Sequence, residues 1–149
     1  MNLNLIIMKT LHVYINYNGN CAEAFAHYAK VLKSELSESL TYADAPPNTG
    51  MHQVAEEFHN RIMHCTLPLN ENVTLMGSDA AGDACARFVQ GNNYAVSLHV
   101  ENRKEADRVF NGLSEGGAVL IPIAETFWNS YWGMCTDAFG VQWMVSSPL

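Results

Sequence analysis

At 149 residues, 48% hydrophobic and 15% charged, the chain can build one ordinary core or two small modules sharing one, and it is too apolar for a disordered segment. A net charge of −7, with eight Lys and Arg and no basic cluster, argues against a nucleic-acid groove and against attraction to a membrane surface. The low charged fraction points to surface covered by a partner, most simply a second copy of the chain.

The opening MNLNLIIMK holds too few apolar residues before Lys9 for a secretory or membrane-spanning segment. Residues 1–10 are expected to form an extension, with Met8 a candidate start. His12–Tyr17 alternates, placing Val13, Ile15 and Tyr17 on one face and His12, Tyr14 and Asn16 on the other, which predicts a strand with a more polar front. Asn18-Gly19-Asn20 predicts a turn with Asn20 as N-cap. Across Cys21–Leu32, Ala24, Phe25, Tyr28, Val31 and Leu32 recur at helical spacing. Ser37–Ala43 reads as a second strand, and residues 44–50, with two prolines and a glycine, as a loop. Gln53–Phe58 adds a helical turn before strands at Arg61–Leu67 and Val73–Met76.

Residues 79–93, rich in Asp, Ala and Gly, predict a linker. The order then restarts with a strand at Tyr94–Val100, a helix at Arg103–Ser114, a stop at Gly116-Gly117 and a strand at Ala118–Ile123. Residues 127–145 hold all three tryptophans, and Asp137-Ala138-Phe139-Gly140 turns between strands Tyr131–Thr136 and Val141–Ser146. Strand, helix and three strands therefore occur twice, in modules 11–78 and 94–149 of one α+β domain spanning 11–149. Glu23-Ala24 and Glu105-Ala106 match within the two helices, provided the first module carries one extra turn residue, which Gly19 could supply.

The segments VYINYNGNCAEAFAHYAKVL (13–32), LMGSD (75–79) and ETFWNSYWGMCTDAFGVQWMV (125–145) resemble the small bacterial PhnB-like branch of the vicinal oxygen chelate superfamily. That superfamily includes glyoxalase I, bleomycin-resistance proteins and extradiol dioxygenases, and its PhnB-like branch often carries a demethylubiquinone methyltransferase-like label. The resemblance implies two βαβββ modules forming an open barrel-like cavity, usually in a homodimer. It supplies no methyltransferase site, since no glycine-rich loop follows a first strand.

Metal enzymes of the superfamily use four front-facing strand positions. Carried onto this chain, these fall at His12, Ala95, Met76 and Met144. One imidazole, an alanine and two thioethers are a poor donor set for a divalent cation, so no metal and no cofactor are expected. His64 and His99 lie in strand-like runs, and a set of His12, His64 and His99 is a conceivable alternative. Histidines satisfied at a sheet face or dimer contact are the plainer reading.

No catalytic residue is assigned. Glu125, beside Phe127 and Trp128, is either a base with a raised pKa or, more simply, a turn cap or the partner of an arginine. Trp143 is expected behind the last strand. The scattered cysteines Cys21, Cys65, Cys85 and Cys135 form no CxxC pair and fit reduced thiols in the cytoplasm. The expected ligand face comprises His12, Tyr14, Asn16, Ser97, His99, Gln142 and Met144, with Glu125 and Trp128 at its rim. The functions compatible with it are a small-molecule binder without the usual metal, a metal-dependent lyase, isomerase or dioxygenase, and a dimeric scaffold.

Overall fold

The computed structural model describes residues 8–48, 50 and 53–149. Most of the expected extension, and His52, lie outside these residues, and Met8, Lys9 and Thr10 carry no regular structure. The first half contains β1 (Val13–Tyr17), α1 (Cys21–Val31), β2 (Glu38–Thr41), β3 (Ile62–Pro68) and β4 (Thr74–Asp79). A four-residue helix, α2 (Ala84–Arg87), follows. The second half contains β5 (Val96–His99), α3 (Arg103–Ser114), β6 (Ala118–Glu125), β7 (Ser130–Thr136) and β8 (Gln142–Pro148).

Two four-stranded sheets result, ordered β1-β4-β3-β2 and β5-β8-β7-β6. In each, the first and last strands pair in parallel and the other pairs are antiparallel. Val13 lies opposite Leu75 in one sheet and Val96 opposite Trp143 in the other. This register makes Tyr14 equivalent to Ser97, Asn16 to His99, and Met76 to Met144. On that alignment α1 starts one residue later than α3, and the extra residue falls in the turn where Gly19 has φ +109°.

The two long helices, α1 and α3, form because apolar residues recur on one face. Cys21, Ala24, Phe25, Tyr28 and Val31 of α1, and Ala106, Val109, Phe110 and Leu113 of α3, are buried together with Leu67, Leu75, Trp143 and Val145 from the strands. Burying a side chain the size of Phe25 or Leu113 stabilises by about 1.5–3 kcal/mol. Phe25 packs so closely over β4 that a Cβ on Gly77 would lie 2.5 Å from its ring. α3 is capped by Asn102, whose Oδ1 accepts from the Glu105 N–H at 3.0 Å.

Several local expectations are corrected. Asn20 holds the N-cap position of α1, but its side chain makes no capping bond. Instead Asp79, from the end of β4, accepts the N–H groups of Gly19 (2.8 Å) and Cys21 (3.0 Å) through one oxygen and that of Ile62 (2.9 Å) through the other. Asp79 was expected to open a linker; it is the buried last residue of β4. β2 is shorter than expected because Thr41 and Asp44 form a capping box around a 3₁₀ turn at Tyr42–Asp44. β5 is shorter as well, and β6 runs through Glu125, which puts that residue in a strand and not in a loop.

Candidate functional site

The polar front of β1 faces a cavity of about 790 Å³. Tyr14 and Asn16 form its floor with Ser78 from the neighbouring β4. Tyr42 closes one side, and the segment from Ala84 to Tyr94 supplies Arg87, Phe88, Gln90 and Tyr94. The turn before β8 adds Phe139, Val141 and Gln142, so the cavity draws on both halves. Gln90 fastens the segment to that turn, its Nε2 donating to the Phe139 carbonyl at 2.8 Å. The volume falls within the range that holds drug-sized ligands.

Hydrogen bonds fix the polar wall. Asn16 Oδ1 accepts from Ser78 Oγ at 3.3 Å, and Asn18 Oδ1 accepts from Arg61 Nη1 at 2.8 Å. The Tyr42 hydroxyl donates to the Asp79 carbonyl at 2.8 Å, and burial, with the Asp79 carboxylate nearby, raises its pKa. Beside the cavity, the Tyr14 hydroxyl lies 3.3 Å from His64 Nδ1 with the rings stacked. His64 Nε2 lies 3.1 Å from Thr66 Oγ1 and 3.7 Å from a Glu38 oxygen. A carboxylate, an imidazole and a phenol thus line up along the front of the first sheet, ending at the cavity wall.

Of the residues expected from sequence, the cavity gathers Tyr14, Asn16 and Gln142. The others lie elsewhere. His12 Nδ1 accepts the Thr74 N–H at 3.1 Å. His99 stands between Ser146 Oγ (2.8 Å) and Ser97 Oγ (3.4 Å) on the front of the second sheet, where Met144 lies opposite Met134 and beside Ser97. Glu125 forms an ion pair with Arg103 at 2.6 Å, the simpler of its two expected roles. Trp128 sits in the β6–β7 turn, edge-on to Phe127 and Trp132, and is 54% exposed. Trp143 is buried behind β8, as its alternation with Val141 and Val145 implied.

Tyr42, Ser78, Arg87, Gln90 and Tyr94 were missed. Arg87 left a trace, being the one cationic residue in the sequence between 79 and 93. Ser78 shares the front of β4 with Met76 by alternation, whereas Tyr42, Gln90 and Tyr94 are brought to the site by chain reversals that no periodicity encodes.

The divalent metal of the superfamily does not fit the residues present. The register puts Met76 opposite Tyr14 and Met144 opposite Ser97, so two of the four positions carried over from the metal enzymes hold thioethers and, with Ala95, leave His12 as the one strong donor. Among the described residues, no three His, Cys, Asp or Glu side chains form a group that could hold an ion.

Comparison with known proteins agrees with this architecture. A glyoxalase/bleomycin resistance protein/dioxygenase family enzyme from Burkholderia phytofirmans PsJN superposes with a TM-score of 0.63 at 14% identity, covering 93% of this chain and 97% of that one. The protein therefore has the glyoxalase fold, with two βαβββ modules whose sheets do not close into a barrel. Over residues 9–146 it matches the sequence profile of the 3-demethylubiquinone-9 3-methyltransferase family, and it belongs to that family, the PhnB-like one. Protein YjdN of Escherichia coli K12 is 29% identical over 139 residues, covering 91% of this chain and 93% of YjdN. Protein PA1353 of Pseudomonas aeruginosa is 35% identical, with a TM-score of 0.80 over 95% of this chain and 98% of that one. A PhnB protein from Bacillus cereus shares 21% identity and a TM-score of 0.73 over 93% and 99% of the two chains. The family's name does not transfer its chemistry to this chain. β1 leads into Asn18-Gly19-Asn20, not a glycine-rich phosphate loop, and both sheets are mixed.

Proposed function

We propose that the protein binds a small organic molecule in the cavity in front of β1, without the metal chemistry of its superfamily. The observation that carries this reading is the cavity itself, which combines drug-sized volume, aromatic surface from Tyr14, Phe88, Tyr94 and Phe139, and a few fixed polar groups. The thioethers at Met76 and Met144 support the non-metal reading. A second copy of the chain is the proposed partner. β6 leaves Val119, Leu120 and Ile121 about half exposed and the following turn leaves Phe127 97% exposed, an apolar surface of the kind that subunits cover. Four free thiols support a reducing, cytoplasmic setting. No helix among the described residues is long and apolar enough to cross a membrane.

Thermal-shift screening against small aromatic compounds, with and without chelator, tests the proposal. A ligand at one hundred times its Kd should raise Tm by about 5–10 °C in both conditions. Ser78→Phe, which fills the floor, should abolish the shift. Binding lost on chelation, or a stoichiometric metal released by His12→Ala, would overturn the non-metal reading. A monomer by light scattering at micromolar concentration would overturn the dimer.

A further inference from the structure

We propose that the ligand of this cavity is an aromatic carboxylate, held through Arg87. The inference rests on the binding reading above and adds the chemical class of the ligand.

The cavity wall presents donors. The amide oxygens of Asn16 and Asn18 accept from Ser78 and Arg61, which leaves each amide NH₂ as a donor without a partner among the described residues. Arg87 is the one cationic residue of the lining, and among the described residues its guanidinium makes no hydrogen bond or ion pair with the protein. The one acidic residue of the lining, Asp79, is buried, and both its oxygens are engaged by main-chain N–H groups. In a chain of net charge −7, the cavity is therefore a local exception, with one unpaired guanidinium and no exposed carboxylate in its lining.

A guanidinium pairs most strongly with a planar carboxylate, through two parallel N–H···O bonds. One positive charge matches a monoanion better than a doubly charged phosphate. The rings of Tyr14, Tyr94 and Phe139 give the organic portion aromatic surface. Arg87 ends α2 on the segment that Gln90 ties to the Phe139 carbonyl, so the cation is carried on an anchored strap and not on a free loop.

The test compares 2-naphthoate with 2-naphthamide, which share a ring system and differ in charge, by calorimetry on the full chain. The acid should bind at least tenfold more tightly. Arg87→Gln should remove that preference by weakening the acid far more than the amide, and Arg87→Lys, which keeps the charge but loses the fork, should retain part of it. Arg87 is exposed and unbonded, so circular dichroism should show both variants folded. Equal affinities, or a preference that survives Arg87→Gln, would overturn the carboxylate assignment. Binding by neutral aromatics alone would also overturn it while leaving the pocket reading intact, and the absence of binding by any aromatic probe would overturn both.

Discussion

In the N-terminal half the buried carboxylate is Asp79, and the donors its side chain accepts are main-chain groups: the N–H groups of Gly19, Cys21 and Ile62. In the C-terminal half it is Asp137, whose first oxygen accepts the N–H groups of Phe139 and Val141, both at 2.9 Å. The second oxygen of Asp137 takes the Trp143 indole at 2.9 Å and the hydroxyl of Tyr28, which reaches across from α1 and itself accepts from Tyr17. One aspartate fastens the ends of elements within its own half; the other ties a helix of the first half to the last strand of the second. A repeated topology has thus been closed by two different devices. The device that bridges the halves sits beneath the turn that contributes Phe139 and Gln142 to the cavity.

The comparison is tested most severely by removing each carboxylate. A buried polar group left without a partner costs about 1–3 kcal/mol. Asp137→Ala strands two main-chain donors, an indole and a phenol, and should destabilise by at least about 3 kcal/mol in urea unfolding. Asp79→Ala strands three donors, but the Gly19 N–H is only partly buried and water can replace its acceptor, so a loss of about 2–3 kcal/mol is expected. Trp143 touches only the second device, so its near-ultraviolet circular dichroism should change in Asp137→Ala and not in Asp79→Ala. Matching spectra in the two variants would mean that the halves are not joined at Asp137.

The Asp137 device also makes stability depend on high pH. Burial raises the phenol pKa values of Tyr28 and Tyr17 well above the ordinary value of about 10. Above pH 10 the unfolded chain gives up these protons while the folded chain keeps them, so the folded state binds more protons and stability falls with rising pH. The contribution is complete below about pH 10 and is lost progressively above it, by up to about 1.4 kcal/mol per pH unit for each phenol. Urea titrations from pH 9 to 11.5 should show this decline. Tyr17→Phe should make it shallower, even though removing the hydroxyl costs about 1 kcal/mol at neutral pH. An unchanged slope in the variant would show that Tyr17 ionises freely in the folded protein.

These devices mark where sequence reading stops. Alternation put Tyr14 and Asn16 on the polar front of β1, helical spacing placed Phe25, Tyr28, Phe110 and Leu113 inward, and Trp143 was assigned to the back of β8. Each of those inferences needs only local periodicity. Asp79 looked like the start of a linker because its donors lie some sixty and seventeen positions away, at Gly19, Cys21 and Ile62. Arg87 and Tyr42 reach the cavity through a short helix and a 3₁₀ turn, whose placement depends on tertiary packing. The repeat was legible because it is written in the order of elements. The cavity was less so, because it lies where the two repeats and the segment between them differ.

The smallest expected effect lies on β6, where the halves differ most in exposure. Glu125 and Arg103 form an ion pair in which both side chains are well exposed, at 60% and 43%, and Arg103 also lies over the Tyr131 ring at 5.2 Å. Exposed pairs of this kind contribute about 0–1 kcal/mol, because solvent screens the charges and both side chains lose rotamer freedom. Glu125→Gln should therefore shift the unfolding midpoint by less than about 1 kcal/mol, and less still in high salt. Glu125 does not line the cavity, so affinity for 2-naphthoate should not change. The alternative role for this residue, a base beside the aromatic side chains of the turn, predicts something different: an affinity or turnover that responds to Glu125→Gln and not to salt. A salt-insensitive loss of ligand binding in that variant would move the functional site from the front of β1 to the β6–β7 turn.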